Sequence, residues 1–310
     1  MSKTILLVKE IKTTQQQQVM GIVFAFITVL IWSSYFLSLR IGALTPLTLA
    51  ELAIFRYTVP GFLLLPIFIK SMTEYKKVPL VYLLGIVLGS GLPFFLLSGY
   101  GIKLTQVAYG STLIPGTIPL FVTVIAVWIY KQPLPYFRLW GIIIIGCGVI
   151  AMLLQIGNTL DKHLLFGEGL FLCSALLWSL FTISIRQSGL SPLKVAALAA
   201  LPNGIVIALW VTITHPELGY STLPIMAVFG QMIVQGVVIG FFSGVCFSAA
   251  IVRVGAEKTS AIGAATPTVA TFFATIMLGE HVDMYLVLSM SLVIGGVFLA
   301  SGVLHGERVS

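Results

Sequence analysis

Leu30-Ile-Trp32-Ser-Ser-Tyr35-Phe-Leu-Ser-Leu-Arg40, followed by Leu44-Thr-Pro46-Leu-Thr-Leu-Ala50, has a counterpart further along the chain. That counterpart is Leu176-Leu-Trp178-Ser-Leu-Phe181-Thr-Ile-Ser-Ile-Arg186, followed by Leu190-Ser-Pro192-Leu-Lys-Val-Ala196. The Trp, the Arg and the Pro all recur at the same offset of 146 residues. Each copy has room for five membrane-spanning helices. Five is odd, so the second copy must enter the bilayer from the side opposite the first. Inverted repeats of this kind hold a substrate site between the halves, near the bilayer midplane. The pattern therefore predicts a secondary transporter.

Composition excludes most other classes. Of 310 residues, 58% are hydrophobic and only 9% charged, with a mean hydropathy of +1.07. A soluble domain carries about 25% charge, so an ordinary globular fold is ruled out and the lipid bilayer becomes the expected partner. The net charge of +7 matters less than where the charges lie, and no nucleic acid is expected as a partner. Cys147, Cys173 and Cys246 fall far apart in apolar runs. They lack CxxC or Cys/His spacing, so neither a disulfide framework nor a metal site is expected. The four histidines sit in loops or in the tail, which leaves none as a mid-membrane proton relay. No HExxH, P-loop, GxSxG or glycine fingerprint occurs, so the expectation is no cofactor and no enzyme.

A helix needs about 20 apolar residues to cross the hydrocarbon. On that measure ten spans are expected: 20–40, 47–69, 79–101, 107–129, 136–155, 167–186, 194–213, 224–251, 259–279 and 284–304. The fold class is thus an all-α integral membrane protein, ten helices in an inverted 5+5 repeat around a central cavity. Its parts are a polar, flexible cytoplasmic tail at 1–19, a first five-helix repeat at 20–155 and a connecting loop at 156–166. A second repeat follows at 167–304, and a cytoplasmic C-terminus at 305–310. With the N-terminus inside, the inner segments hold 13 Lys and Arg and the outer ones 3, with Arg56 left in the membrane. That bias places both termini in the cytoplasm. A short polar tail without a long targeting extension suggests a bacterial inner membrane.

The later part of each half repeats more loosely. Ala108-Tyr-Gly-Ser-Thr-Leu-Ile-Pro115-Gly-Thr-Ile-Pro119 parallels Ala256-Glu-Lys-Thr-Ser-Ala-Ile-Gly263-Ala-Ala-Thr-Pro267 at an offset of 148, and the turns Tyr130-Lys-Gln-Pro-Leu and Leu278-Gly-Glu280-His-Val follow. These pieces, with Ile31-Trp32-Ser33 and Phe55-Arg56-Tyr57, resemble the EamA-like branch of the drug/metabolite transporter superfamily. The resemblance runs from about 20 to 304. It implies ten helices, inverted 5+5, around a cavity that opens alternately to each side. Members move amino acids, other small metabolites, nucleotide derivatives or drugs. Gln132 replaces the turn's Glu in the first half, which puts a structural role for the acid in doubt there.

Arg56 is the sharpest single residue. Near the middle of the second span an arginine costs about 2.5–3.5 kcal/mol on insertion scales, so it must face a cavity or a partner. It reads as an anion-recognition point, for a substrate carboxylate for instance, or as a tie to carbonyls of a neighbouring helix. Glu51, about a turn from the outer end of that span, is a possible proton-coupling group or a residue of a wet vestibule. Trp32 and Trp178, with Tyr35 and Phe181 one turn on, read as aromatic walls on the pseudo-two-fold axis or as helix packing. Tyr100 beside the outer turn is a gate or an interface anchor. Asn203 follows Pro202 and aligns with Tyr57, so the halves differ at their most polar point. Gln231 and Gln235 share one helical face and either line a cavity or join two helices. Gly236, Gly240 and Gly244 form a close-approach run. Pro93, Pro119 and Pro267 are expected hinges, since proline commonly kinks a membrane helix.

The substrate-binding set is therefore Trp32, Tyr35, Arg56, Tyr100, Trp178, Asn203 and Gln235, with a small-molecule substrate as partner. The expected activity is movement of an amino acid or similar metabolite across the inner membrane by alternating access, outward. A multidrug or amphipathic-compound exporter is the alternative, and would want an acid rather than Arg56 in its cavity. A lipid-modifying membrane enzyme ranks last, because it would cluster His, Asp and Glu at one interface.

Overall fold

The computed structural model describes residues 15–154, 161–255 and 258–303, with the helical backbone alone for 2–14, 155–159 and 256–257. The expected C-terminus at 305–310 and Leu160 of the join at 156–166 lie outside these residues, while most of the rest of that join is helical. Among the described residues there is no strand. Nine helices among the described residues are long and apolar enough to cross a membrane, and a shorter apolar one follows them. In chain order these are α1 Gln15–Ala43, α2 Leu49–Lys70, α3 Leu80–Leu104, α4 Val107–Trp128 and α5 Tyr136–Leu154. Then come α6 Lys162–Ser188, α7 Pro192–Thr214, α8 Ile225–Gly255, α9 Lys258–Leu278 and α10 Met284–Ala300.

The ends carry recognisable chemistry. Thr48 and Glu51 form a capping box at the start of α2, each satisfying a backbone N–H that the first turn leaves free. Asp161 caps α6 through the N–H groups of His163 and Leu164, and Asp283 caps α10 through Leu286. Gly255, at φ 85°, lets α8 reverse into α9, a conformation that a side chain would strain. The helical backbone of α1 runs back to Ser2, through the stretch expected to be a flexible tail. Lys and Gln are good helix formers, and no Gly or Pro breaks that stretch.

Three helices depart from regular winding. α3 is interrupted at Ser90-Gly91, giving pieces Leu80–Gly89 and Leu92–Leu104, with Pro93 in the first turn of the second piece. α8 is wound as a π-helix over Ile233–Phe242. α9 is interrupted at Ala264-Ala265, before the piece Thr266–Leu278 that has Pro267 in its first turn. Pro119, by contrast, sits inside an unbroken α4.

Packing follows a simple rule. α1 lies against α8 and α9, and α6 lies against α3 and α4. α2 pairs with α7, and α5 with α10. Small residues make the close contacts. A Cβ on Gly236 or Gly240 of α8 would fall 2.7 Å from the Phe55 carbonyl and 2.9 Å from the Pro60 ring of α2, whereas Gly244 has open space. On α3, a Cβ on Gly89 would reach the Leu177 carbonyl of α6 at 2.5 Å. The outer faces are apolar: Phe62, Trp128, Ile213 and Val252 are all about three-quarters exposed or more. Apolar surface on that scale is covered by lipid in a spanning protein.

Candidate functional site

A narrow cavity of about 80 Å³ lies where the two halves of the bundle meet. α1 contributes Trp32, Tyr35 and Phe36, α2 contributes Arg56, and α3 contributes Phe94. α4 adds Ile114, Pro115 and Ile118, α6 adds Trp178, and α8 and α9 close it with Ile239, Ser243 and Thr266. Its walls are aromatic. Phe94 packs 4.8 Å from Trp178 and stacks 6.2 Å from Tyr35, while Phe36 meets Tyr35 edge-on at 5.2 Å. The volume is well under the ~300 Å³ of a typical small-molecule site. The bundle is contracted around it.

Arg56 is the one charged lining residue. Its guanidinium carbon sits 5.3 Å from the centroid of the Tyr35 ring, a cation–π distance. The Tyr35 hydroxyl is in turn 2.7 Å from the Ser98 hydroxyl, which fixes the ring. Arg56 Nη1 is buried and has no hydrogen-bond partner among the described residues. No lining residue is acidic. A buried guanidinium donor thus faces an aromatic cavity with no carboxylate among its lining residues.

Sequence reasoning placed Trp32, Tyr35, Arg56 and Trp178 in the substrate-binding set, and all four line this one cavity. The other residues of that set lie elsewhere. Tyr100 is more than half exposed, with the Lys103 ammonium 5.9 Å from its ring. Asn203 is buried against the break in α3, bonded to Leu92 and Val87. Gln235 of α8 donates to the Ser38 hydroxyl at 3.0 Å, and Ser38 donates to Gln231 at 2.5 Å. This row backs a larger, mainly apolar hollow of about 390 Å³ on the flank between α1, α8 and α9. Of these two cavities the smaller is the candidate site, because charge, aromatic walls and both halves converge there. Glu51 accepts from Thr48 N and Oγ1, Gly219 N and Tyr220 N at 2.6–3.2 Å, which pins the loop after α7 to the start of α2.

The two ends of the bundle are tied differently. At one end Arg40 Nε meets Glu280 Oε1 at 2.8 Å, and Arg40 Nη1 donates to the Ile102 carbonyl. Glu280 Oε2 accepts from the Val107 N–H at 2.8 Å. One buried acid thus joins α1, α4 and the turn before α10. The opposite end carries the Lys194–Glu74 pair at 2.5 Å, largely in solvent, and the Tyr75 hydroxyl donating to the Lys194 carbonyl. Burial pushes the Tyr75 phenol above its ordinary value, which keeps it a donor. Arg186, the counterpart of Arg40, is exposed and pairs with no acid among the described residues; Arg138 lies within its electrostatic reach.

Sequence reasoning missed Glu168. By starting the sixth span at 167, it left this acid at the membrane edge. The Asp161 cap starts α6 at Lys162 instead, which carries Glu168 a turn and a half into the helix, fully buried. The signal was present, since Asp before an apolar run marks a helix start.

With this geometry in view, the comparisons decide the family. The EamA-like transporter family matches residues 19–154 and again 165–302. The chain belongs to this family. As an EamA-like protein it is a multi-pass membrane transporter of the drug/metabolite type. It is similar to the uncharacterised transporter YoaV of Bacillus subtilis (strain 168), 24% identical over 277 residues, covering 87% of this chain and 92% of that one. A solved crystal structure shares the fold at a TM-score of 0.60 and 18% identity, covering 94% of this chain and all of the other.

Proposed function

We propose that this EamA-like transporter is a secondary carrier for an amino acid or similarly small carboxylate, moved outward across the inner membrane by alternating access. The observation that carries the reading is the buried, unpartnered Nη1 of Arg56 facing an aromatic cavity. The ten apolar helices are taken as an inverted 5+5 arrangement. Its support is the packing rule: α1 with α8 and α9 maps onto α6 with α3 and α4 when each helix is exchanged for the one five places on. The basic bias supports cytoplasmic termini, which makes the Arg40–Glu280 end the outer one. A buried three-way tie at that end and a solvated pair at the other favour loading from the cytoplasm. Trp32, Tyr35 and Trp178 would hold the substrate's apolar part while Arg56 takes its carboxylate. The breaks before Pro93 and Pro267 are the proposed flexing points.

Counterflow in proteoliposomes with labelled amino acids tests this, comparing wild type with Arg56→Gln and Arg56→Lys. A hydrogen bond to a charged group contributes about 1.5–3 kcal/mol, so Arg56→Gln should lose about tenfold to a hundredfold in exchange, with partial recovery in Arg56→Lys. Equal exchange by all three would make Arg56 a tie between helices. Exchange of amphipathic cations in place of amino acids would favour a drug exporter.

A further inference from the structure

Glu168 belongs to neither end tie nor to the cavity wall. It is completely buried in α6, and neither carboxyl oxygen has a hydrogen-bond partner among the described residues. The surrounding packing is closed. A Cβ on Gly167 would fall 2.6 Å from Thr105, and one on Gly101 2.5 Å from the Phe171 ring. One on Gly110 of α4 would also meet that ring, at 3.0 Å. Three helices therefore press together around an acid that has no hydrogen-bond or ion-pair partner among the described residues.

The charged and titratable groups on those helices do not answer it. On α4, Tyr109 is within electrostatic reach of the Glu168 carboxyl, and Asp283 of the loop before α10 acts on the same tyrosine. On α3, Lys103 lies over the Tyr100 ring. On α5, Arg138 is set against Arg186 at the far end. On α6 itself, Asp161 is occupied as the cap, and Lys162 and His163 share its turn. No salt bridge reaches Glu168 among the described residues. An ionised carboxylate sealed in this way is very costly. A metal cation would need several oxygen ligands, and no cluster of three or more acidic, His or Cys groups exists among the described residues. A proton needs one oxygen.

We propose that Glu168 is the proton-binding site that couples transport to the proton gradient, an inference that rests on the carrier reading above. It takes the place that sequence reasoning had considered for Glu51, whose oxygens are filled by four donors. Six residues into α6, Glu168 lies about 9 Å from the helix's first residue, between the Arg40–Glu280 end and the Trp178 level of the cavity. A proton arriving from that end forms one O–H bond on the carboxyl. The same bond breaks, releasing the proton to the other side, after the bundle has changed facing. Sealed within the bundle as it is here, the acid would carry its proton through the occluded stage of that cycle.

The test separates coupling from carriage. Counterflow at equal pH needs no net proton movement, whereas accumulation under an imposed pH gradient does. Glu168→Gln should keep counterflow near wild type and lose gradient-driven accumulation, with Glu168→Asp restoring part of it. Gradient-driven accumulation by Glu168→Gln at the wild-type level would overturn the proposal. Infrared spectra of the protein in bilayers at neutral pH give a readout that needs no substrate. A protonated-carboxyl stretch should be present in wild type, absent in Glu168→Gln and shifted in Glu168→Asp. Absence of that band from wild type would sink the assignment even if carriage is demonstrated. If no solute exchanges but the band is present and lost in Glu168→Gln, the proton site stands and the choice of substrate falls.

Discussion

Asn203 on α7 completes the hydrogen bonding of Leu92 on α3. Its Oδ1 accepts the Leu92 N–H at 2.8 Å, while its Nδ2 donates to the Val87 carbonyl at 2.9 Å, on the other side of the interruption. One side chain thus serves backbone groups that the broken helix leaves free, inside a bundle where no water replaces them. Tyr57, which occupies the equivalent place on α2, donates to the Ser90 carbonyl at 2.9 Å. Two positions that align across the repeats meet at the same gap.

Replacing Asn203 with Ala should therefore destabilise the fold rather than alter substrate choice. A buried group left unpaired costs about 1–3 kcal/mol, and here both an N–H and a carbonyl are exposed to that cost. The expected result is a clear drop in Tm in detergent. Exchange per folded molecule should change less than in Arg56→Gln.

The Arg40–Glu280 tie should hold its end shut. Removing one member of a buried pair costs about 3–5 kcal/mol, and Glu280→Gln keeps shape and one acceptor while losing the charge. In a cysteine-free background carrying Ile114→Cys in the cavity wall, an impermeant thiol reagent applied at that end should label Glu280→Gln at least about tenfold faster than its parent. Unchanged labelling would show that other contacts keep the end closed.

Glu51→Gln separates a strut from a proton carrier. The substitution weakens the grip on Gly219 and Tyr220 and the cap of α2, an effect of about 1 kcal/mol for a lost cap. Limited proteolysis in the 215–224 loop should accelerate, while the pH dependence of transport stays as in wild type. A flattened pH profile in this variant would return coupling to Glu51.

Much of this was legible in the sequence because membrane helices announce themselves. The apolar runs, the repeated Trp, Arg and Pro, and the isolated Arg56 all follow from what a bilayer tolerates. Trp32, Tyr35, Arg56 and Trp178 could be picked out together because an arginine and two tryptophans deep in apolar spans stand out from their neighbours, although spacing alone left helix packing open for each. Asn203 and Gln235 were as conspicuous, yet their roles depend on partners on other helices, which spacing does not reveal: a gap in α3 for one, Ser38 for the other. The gap itself was hidden, since Ser90-Gly91 reads as an ordinary small pair in an apolar run. Glu168 was hidden by a boundary. Five residues' error at the start of α6 moved it from the interior to the edge.

The π-wound stretch of α8 gives the bundle a store of rotation. Gly236 and Gly240 clamp this stretch onto α2, while Ser243 just beyond it faces the cavity and Gly255 ends the helix. If those turns tighten to ordinary α winding, everything past Phe242 swivels about the helix axis like the far end of a twisted cord. A carrier confined to one lipid thickness then has a way to turn a cavity wall without pushing any helix through the membrane.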